Sequence, residues 1–288
     1  MGRLFFIAAA ILLIPAGCAG SGRVSAGAHR PADAAYATPT QGSAGNANAA
    51  ASIGASTSSA SGGAAQTSTS INPGPLHIPA AGSYHAQMTR SGSTQAVTIS
   101  VALSRASGTE TDVTTTTTLA GGSQQINSEA WRPDGIYLTQ TSYVSNGKRV
   151  DCTFQSPVLE SKLPLSVGST WSSSGTCTTP APNATTTTVS ISAGVTGTAR
   201  QTIGGVTVAT YVIKGQLTTD TKGSYAQNLN GIPQPPQPFE LKTTSQLTVY
   251  VDAAAGLDVR TITDSTTDYN GKSSSSTSET VYTSLKPS

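Results

Sequence analysis

Beyond Pro79 the chain is built on a period of two. Val97, Ile99, Val101 and Leu103 are apolar and the residues between them, Thr98, Ser100, Ala102 and Ser104, are small or polar, so an extended segment here shows one face to a core and the other to water. The alternation returns at Val189, Ile191, Ala193 and Val195, at Leu247, Val249 and Val251, at Leu257 and Val259, and at Val281 and Leu285. Three turns between such stretches are legible. Asn146-Gly147 and Asn270-Gly271 carry the dipeptide that accepts positive φ at both central positions of a two-residue hairpin, and Gly204-Gly205 does the same. Val206 to Leu217 is apolar on both faces, which predicts a central strand. No segment outside the N-terminal apolar run sustains a 3.6-residue period, and the abundant β-branched Thr favours strands. The expectation is an all-β domain over residues 79–288, an antiparallel meander of about ten to twelve strands forming a curved sheet, a half-open barrel or a sandwich.

The first residues read differently. Met1-Gly2-Arg3 supplies one positive charge, and Leu4 to Ile14 is an uninterrupted apolar run that ends at Pro15. It falls well short of the roughly 20 residues that span a bilayer and has the length of a signal-peptide apolar core. With Pro15-Ala16-Gly17-Cys18 behind it, the segment resembles a bacterial lipoprotein signal, although Pro15 stands where that pattern usually has Leu. The resemblance implies that residues 1–18 form a lipoprotein signal, that Cys18 carries palmitate or a similar acyl group, and that the chain is anchored on the extracytoplasmic face of the cell membrane. Cleavage near Ala19, giving a secreted protein, is the alternative. Residues 19–78 are Ala, Gly, Ser and Thr with scattered Asn and Gln, too poor in apolar side chains to offset their ordering entropy, and predict a disordered linker with a reach of roughly 40 Å. A glycosylated stalk or a wall-crossing segment has the same composition.

Composition narrows the chemistry. Charged residues are only 10% of the 288 and the net charge is +2, with no Lys/Arg cluster, so a nucleic-acid backbone finds nothing to grip. Aromatic residues are 5% and His number 3, which starves both cofactor stacking and proton transfer. The expectation is a protein without catalytic residues, cofactor or metal. Ser145-Asn146-Gly147-Lys148 spells S-x-x-K, but its companion S-D-N and K-T-G motifs are missing and Asn146-Gly147 is turn chemistry. Asp264, Asp268, Asn270 and Gly271 echo a calcium loop whose closing Glu is replaced by Thr277, so a turn explains them. His85 reads as a solvated strand residue, and Glu110 with Asp112 as an exposed strand edge that discourages aggregation. Trp131 and Trp171 read as core anchors, with ligand or partner contact as the alternative.

With Cys18 spent on the anchor, Cys152 and Cys177 suit one disulfide in an oxidising compartment; two free thiols or a metal pair are the alternatives, the latter lacking CxxC or HxxxH spacing. Between them run Pro157-Val158-Leu159 and then Leu163-Pro164-Leu165-Ser166-Val167-Gly168-Ser169-Thr170-Trp171. A Cys, a Pro-rich loop, PL-x-VG-x-x-W, a second Cys, a Gly-initiated strand at Gly205 and a Gly256-Leu257 turn together resemble a diffuse group of exported bacterial lipoproteins, actinobacterial in type and of unknown function. That resemblance implies a curved β-domain on an exported protein and brings no activity. The chain departs from it by a loop over residues 223–239 with Pro233, Pro235, Pro236 and Pro238, stiff enough for partners to recognise. Two functions are therefore expected. One is a structural or interaction module of the cell envelope that touches a partner protein through its loops, Pro235 and Pro236 foremost. The other is a carrier that binds a hydrophobic small molecule or lipid. The scarcity of large apolar side chains tilts the balance toward the module.

Overall fold

The computed structural model describes residues 71–179, 184–229 and 232–288. Cys18, the lipoprotein signal and nearly all of the predicted linker lie outside the described residues. The domain is all-β: β1 (Gly82–Arg90), β2 (Ser93–Ser107), β3 (Glu110–Thr118), β4 (Gln124–Arg132), β5 (Gly135–Ser145), β6 (Lys148–Lys162), β7 (Thr170–Thr178), β8 (Thr185–Ile203), β9 (Val206–Leu229), β10 (Ile232–Asp252), β11 (Leu257–Tyr269) and β12 (Lys272–Tyr282). Every strand is antiparallel to its chain neighbours, and β1 pairs with β12, from Ala86 opposite Tyr282 to Arg90 opposite Ser278, so the meander closes into a twelve-stranded barrel.

Closure decides what alternation left open among curved sheet, half-open barrel and sandwich, and it corrects two local expectations. Glu110 and Asp112 are not on an edge, because β3 is laddered to β2 on one side and β4 on the other. The strand from Val206 is central only in the sense that every strand of a closed barrel is. The expected turns are present: Asn146, Gly147, Asn270, Gly271, Gly204 and Gly205 all have positive φ. Ser91-Gly92 forms a fourth such turn, with φ of 48° and 82°, that Ser disguises in the sequence.

An even number of up-and-down strands puts both described termini at one end of the barrel. We call this end proximal; it also carries the β2–β3, β4–β5, β6–β7, β8–β9 and β10–β11 connections. The distal end carries the other six. Inward positions near the proximal end are mainly apolar, with the buried carboxyls of Glu129, Glu160 and Asp258 among them, and the apolar ones form two clusters. One contains Phe154, Trp171, Ile191, Ile213, Leu217 and Val249, the other Tyr84, Ile99, Val113, Trp131, Ile136 and Leu257; Leu76 and Leu163 pack against both. Toward the distal end the inward positions turn to hydroxyls. Cross-strand pairs then satisfy one another, Thr187 with Thr221 at 3.0 Å, Thr243 with Thr267 at 3.1 Å and Ser245 with Ser265 at 2.8 Å. The outer face is polar, with His85, Ser190, Ser192, Gln216, Asp264 and Thr266 exposed where a membrane-spanning barrel carries an apolar band.

The β6–β7 seam is unlike the others, since a single ladder pair, Phe154 opposite Cys177, joins the two strands. Side chains replace the missing backbone bonds. The Leu159 amide donates to Ser173 Oγ at 2.9 Å, and Trp171 Nε1 donates to the Glu160 carbonyl at 2.9 Å. The Cys152–Cys177 disulfide, with Cα atoms 5.4 Å apart, bridges the same seam.

The predicted loop at 223–239 is instead a hairpin. β8 stops pairing with β9 at Gly223 and β11 stops pairing with β10 at Tyr269, so residues 224–229 and 232–240 run on beyond the rim as a two-stranded ribbon. Proline cannot donate to a ladder and sits in edge strands or bulges, which is what this ribbon offers. The register slips between Gln234 and Gln237 and takes Pro235 and Pro236 out of the pairing.

Candidate functional site

The segment before β1 lies across the proximal end as a strap. The His77 amide donates to the Ala253 carbonyl at 2.9 Å, the Tyr211 hydroxyl donates to the Gly74 carbonyl at 3.1 Å, and the Tyr84 hydroxyl to the Ala80 carbonyl at 3.0 Å. Gly256 makes the strap possible, because its φ of +68° suits glycine and a Cβ there would overlap the His77 carbonyl oxygen. Between strap and barrel opens a cleft of about 550 Å³, with Leu76, Trp131, Arg132, Leu163, Leu165 and Tyr211 among its walls. That volume falls within the range of small-molecule sites.

The cleft mixes apolar walls with the polar side chains of Asn72, Thr109 and Thr111, and Arg132 is its charged group. Arg132 Nε donates to Glu110 Oε2 at 2.6 Å, and its guanidinium lies 4.9 Å from the Tyr137 ring centroid. The Tyr137 hydroxyl in turn donates to Asp134 Oδ2 at 2.9 Å. Trp131 Nε1 donates to Glu129 Oε2 at 2.8 Å, turning the indole's polar edge away from solvent. Glu129, Glu160 and Asp258 are buried carboxyls. Burial pushes the Tyr282 phenol well above its ordinary range, with Asp258, Tyr84 and Glu129 adding to the effect, so it stays protonated and makes a poor base.

Sequence reasoning missed these buried acids. Period two does place Glu129 on the same face as Trp131, the signal that could have found it. Of the expected contact residues, Trp131 lines the cleft and Trp171 is buried at the β6–β7 seam. Pro235 and Pro236 are exposed on the distal ribbon, so the four divide between the two ends of the barrel. His85 faces solvent from β1, and Glu110 is held by Arg132. Ser145 and Lys148 flank a tight turn. Asp268 accepts from the Gly271 amide at 2.8 Å and from Ser273 Oγ at 3.0 Å, which is turn chemistry.

No family model matches the chain, the Cys…PL-x-VG-x-x-W…Cys segment included, and no curated protein matches it. Among solved structures it is similar to the hypothetical lipoprotein YmcC from Escherichia coli (K12), at 15% identity over 72% of this chain and 85% of that one, with a TM-score of 0.32.

Proposed function

We propose that the chain is a membrane-tethered, extracytoplasmic β-barrel that works by contact, a non-enzymatic interaction module of the cell envelope whose contact element is the distal ribbon. The observation that carries this reading is the ribbon itself. Residues 224–229 and 232–240 leave the barrel at the end opposite the one where the described chain begins at Ile71, and Pro235, Pro236 and Pro238 stand exposed along it. Six residues of strand reach about 20 Å past the rim. Prolines hold β10 extended without an N–H to donate, a surface that aromatic-lined grooves recognise.

The non-enzymatic reading rests on the proton inventory. His85 stands on the outer face of β1, Glu110 is tied to Arg132, and the Tyr282 phenol is held protonated. A photo-reactive side chain placed at Pro236 in the intact cell should give one discrete adduct with an envelope protein, and the same group at His85 none. Failure to cross-link at Pro236, or equal cross-linking at both positions, would remove the ribbon from the function. A carrier for a hydrophobic molecule is the second reading, favoured by the proximal cleft; a fluorescent fatty acid that binds the processed protein and is released by Trp131→Ala would establish it.

A further inference from the structure

We propose that the proximal end of the barrel is a lipid-contacting face and that its cleft takes one acyl chain of a phospholipid from the membrane on which the protein is tethered. This rests on the tethering put forward above. Exposed large apolar side chains are ordinary when scattered singly, but here they are not scattered. Of the five such residues among those whose side chains are described, Ile78 on the strap, Leu103 in the last third of β2, Val167 in the β6–β7 loop and Val206 beside the β8–β9 turn stand toward the proximal end, 44% to 58% exposed. Among the described side chains, Val150 is the distal one.

Four elements therefore carry apolar tips toward one rim, on a molecule whose outer wall is mostly hydroxyl and charge. The chain that leads back to Cys18 joins at this rim, since Asn72 and Gly74 border the cleft. Exposed Lys162 and Lys286 at the same end have the long stems that let ammonium groups meet headgroup phosphates with apolar neighbours below. Of the acids nearby, Glu110 is held by Arg132 and Asp134 accepts from the Tyr137 hydroxyl, while Asp112 is exposed on β3. Inside the rim the cleft continues the apolar surface inward, because Leu76 and Leu163 connect it to both core clusters. A lipid tail entering there meets Trp131 and Leu165.

The native tryptophans report the contact. Processed protein is mixed with phosphatidylglycerol–phosphatidylethanolamine vesicles containing lipids brominated in the acyl chain, and tryptophan emission is read alongside co-sedimentation. Emission should fall at least two-fold for wild type and hardly at all for Ile78→Asp/Val167→Asp/Val206→Asp, with Trp131→Phe removing most of the quenchable signal and Val150→Asp changing nothing. Co-sedimentation reads the tether and quenching reads the face, so the two ideas fail separately. Protein that sediments without quenching overturns the lipid-contacting face, as does a triple variant quenched like wild type; protein that neither sediments nor is quenched overturns both the tether and the face. Circular dichroism melts show whether the triple variant is folded. Should it not be, Val206→Asp alone, beside a turn, takes its place and should lower the quenching.

Discussion

Gly175 has no space for a side chain: a Cβ there would lie 2.6 Å from Val158 Cγ2 and 2.7 Å from the Ser156 carbonyl oxygen. The closeness belongs to a seam where β6 bulges toward β7 and the backbone ladder shrinks to one pair. This gives the disulfide a structural role that spacing in the sequence did not show. Closing the 25-residue separation removes unfolded-state entropy equivalent to roughly 3.5 kcal/mol, and here the bond also joins two strands that the backbone hardly joins. Changing both Cys152 and Cys177 to Ala should therefore lower unfolding stability by about 3 kcal/mol or more in denaturant titration. A loss under about 1 kcal/mol would mean that Trp171, Ser173 and core packing hold the seam unaided. Cys152 and Cys177 were legible as a pair because composition leaves few other roles for them. Trp171 was legible as an anchor, but its hydrogen bond to Glu160 was not, since a seam exists only once the strands are in register.

At the scale of elements, turn chemistry was the most readable part. Asn270 adopts φ of 48° and Gly271 of 80°, as the Asn-Gly pair predicts. Asn270 does more than turn: its Oδ1 accepts from the Glu240 amide at 2.9 Å and its own amide donates to the Glu240 carbonyl at 3.1 Å, clamping the base of the ribbon where β10 leaves β11. Asn270→Gly keeps the backbone conformation and loses the side-chain bond, and Asn270→Ala loses both. The expected stability losses in thermal unfolding are about 0.5–1 kcal/mol for Gly and about 1–2 kcal/mol for Ala. Equal losses would take the φ argument away. The ribbon reads as a loop in the sequence because proline is penalised in strands on average, and the penalty lapses where a strand has a neighbour on one side only. The hydroxyl-lined interior was hidden for a related reason. Thr115, Thr117, Thr219 and Thr243 are buried, and in a chain this rich in Thr a period of two cannot tell an inward hydroxyl from an outward one.

Closure is a property of the whole molecule, and alternation within a strand says nothing about whether the first strand meets the last. A closed barrel has one axis, and this one is polar along it: apolar tips and the chain's N-terminal approach stand at one end, the prolyl ribbon at the other. The 24 residues of β9 cover roughly 80 Å of strand, and a barrel tilt of about 40° leaves roughly 60 Å along the axis. If the proximal rim rests on the bilayer, the ribbon is held upright, far from the lipid, whereas a tethered barrel without that contact would sample every orientation. Dyes on Val206→Cys and Pro236→Cys separate the two states, Cys152 and Cys177 being engaged in their disulfide and Cys18 in the proposed anchor. With an energy acceptor in the vesicle headgroups, the Val206 dye should transfer strongly and the Pro236 dye almost not at all. Similar transfer from both would mean a freely tumbling barrel, leaving the ribbon to find its partner by diffusion and not by being presented to it.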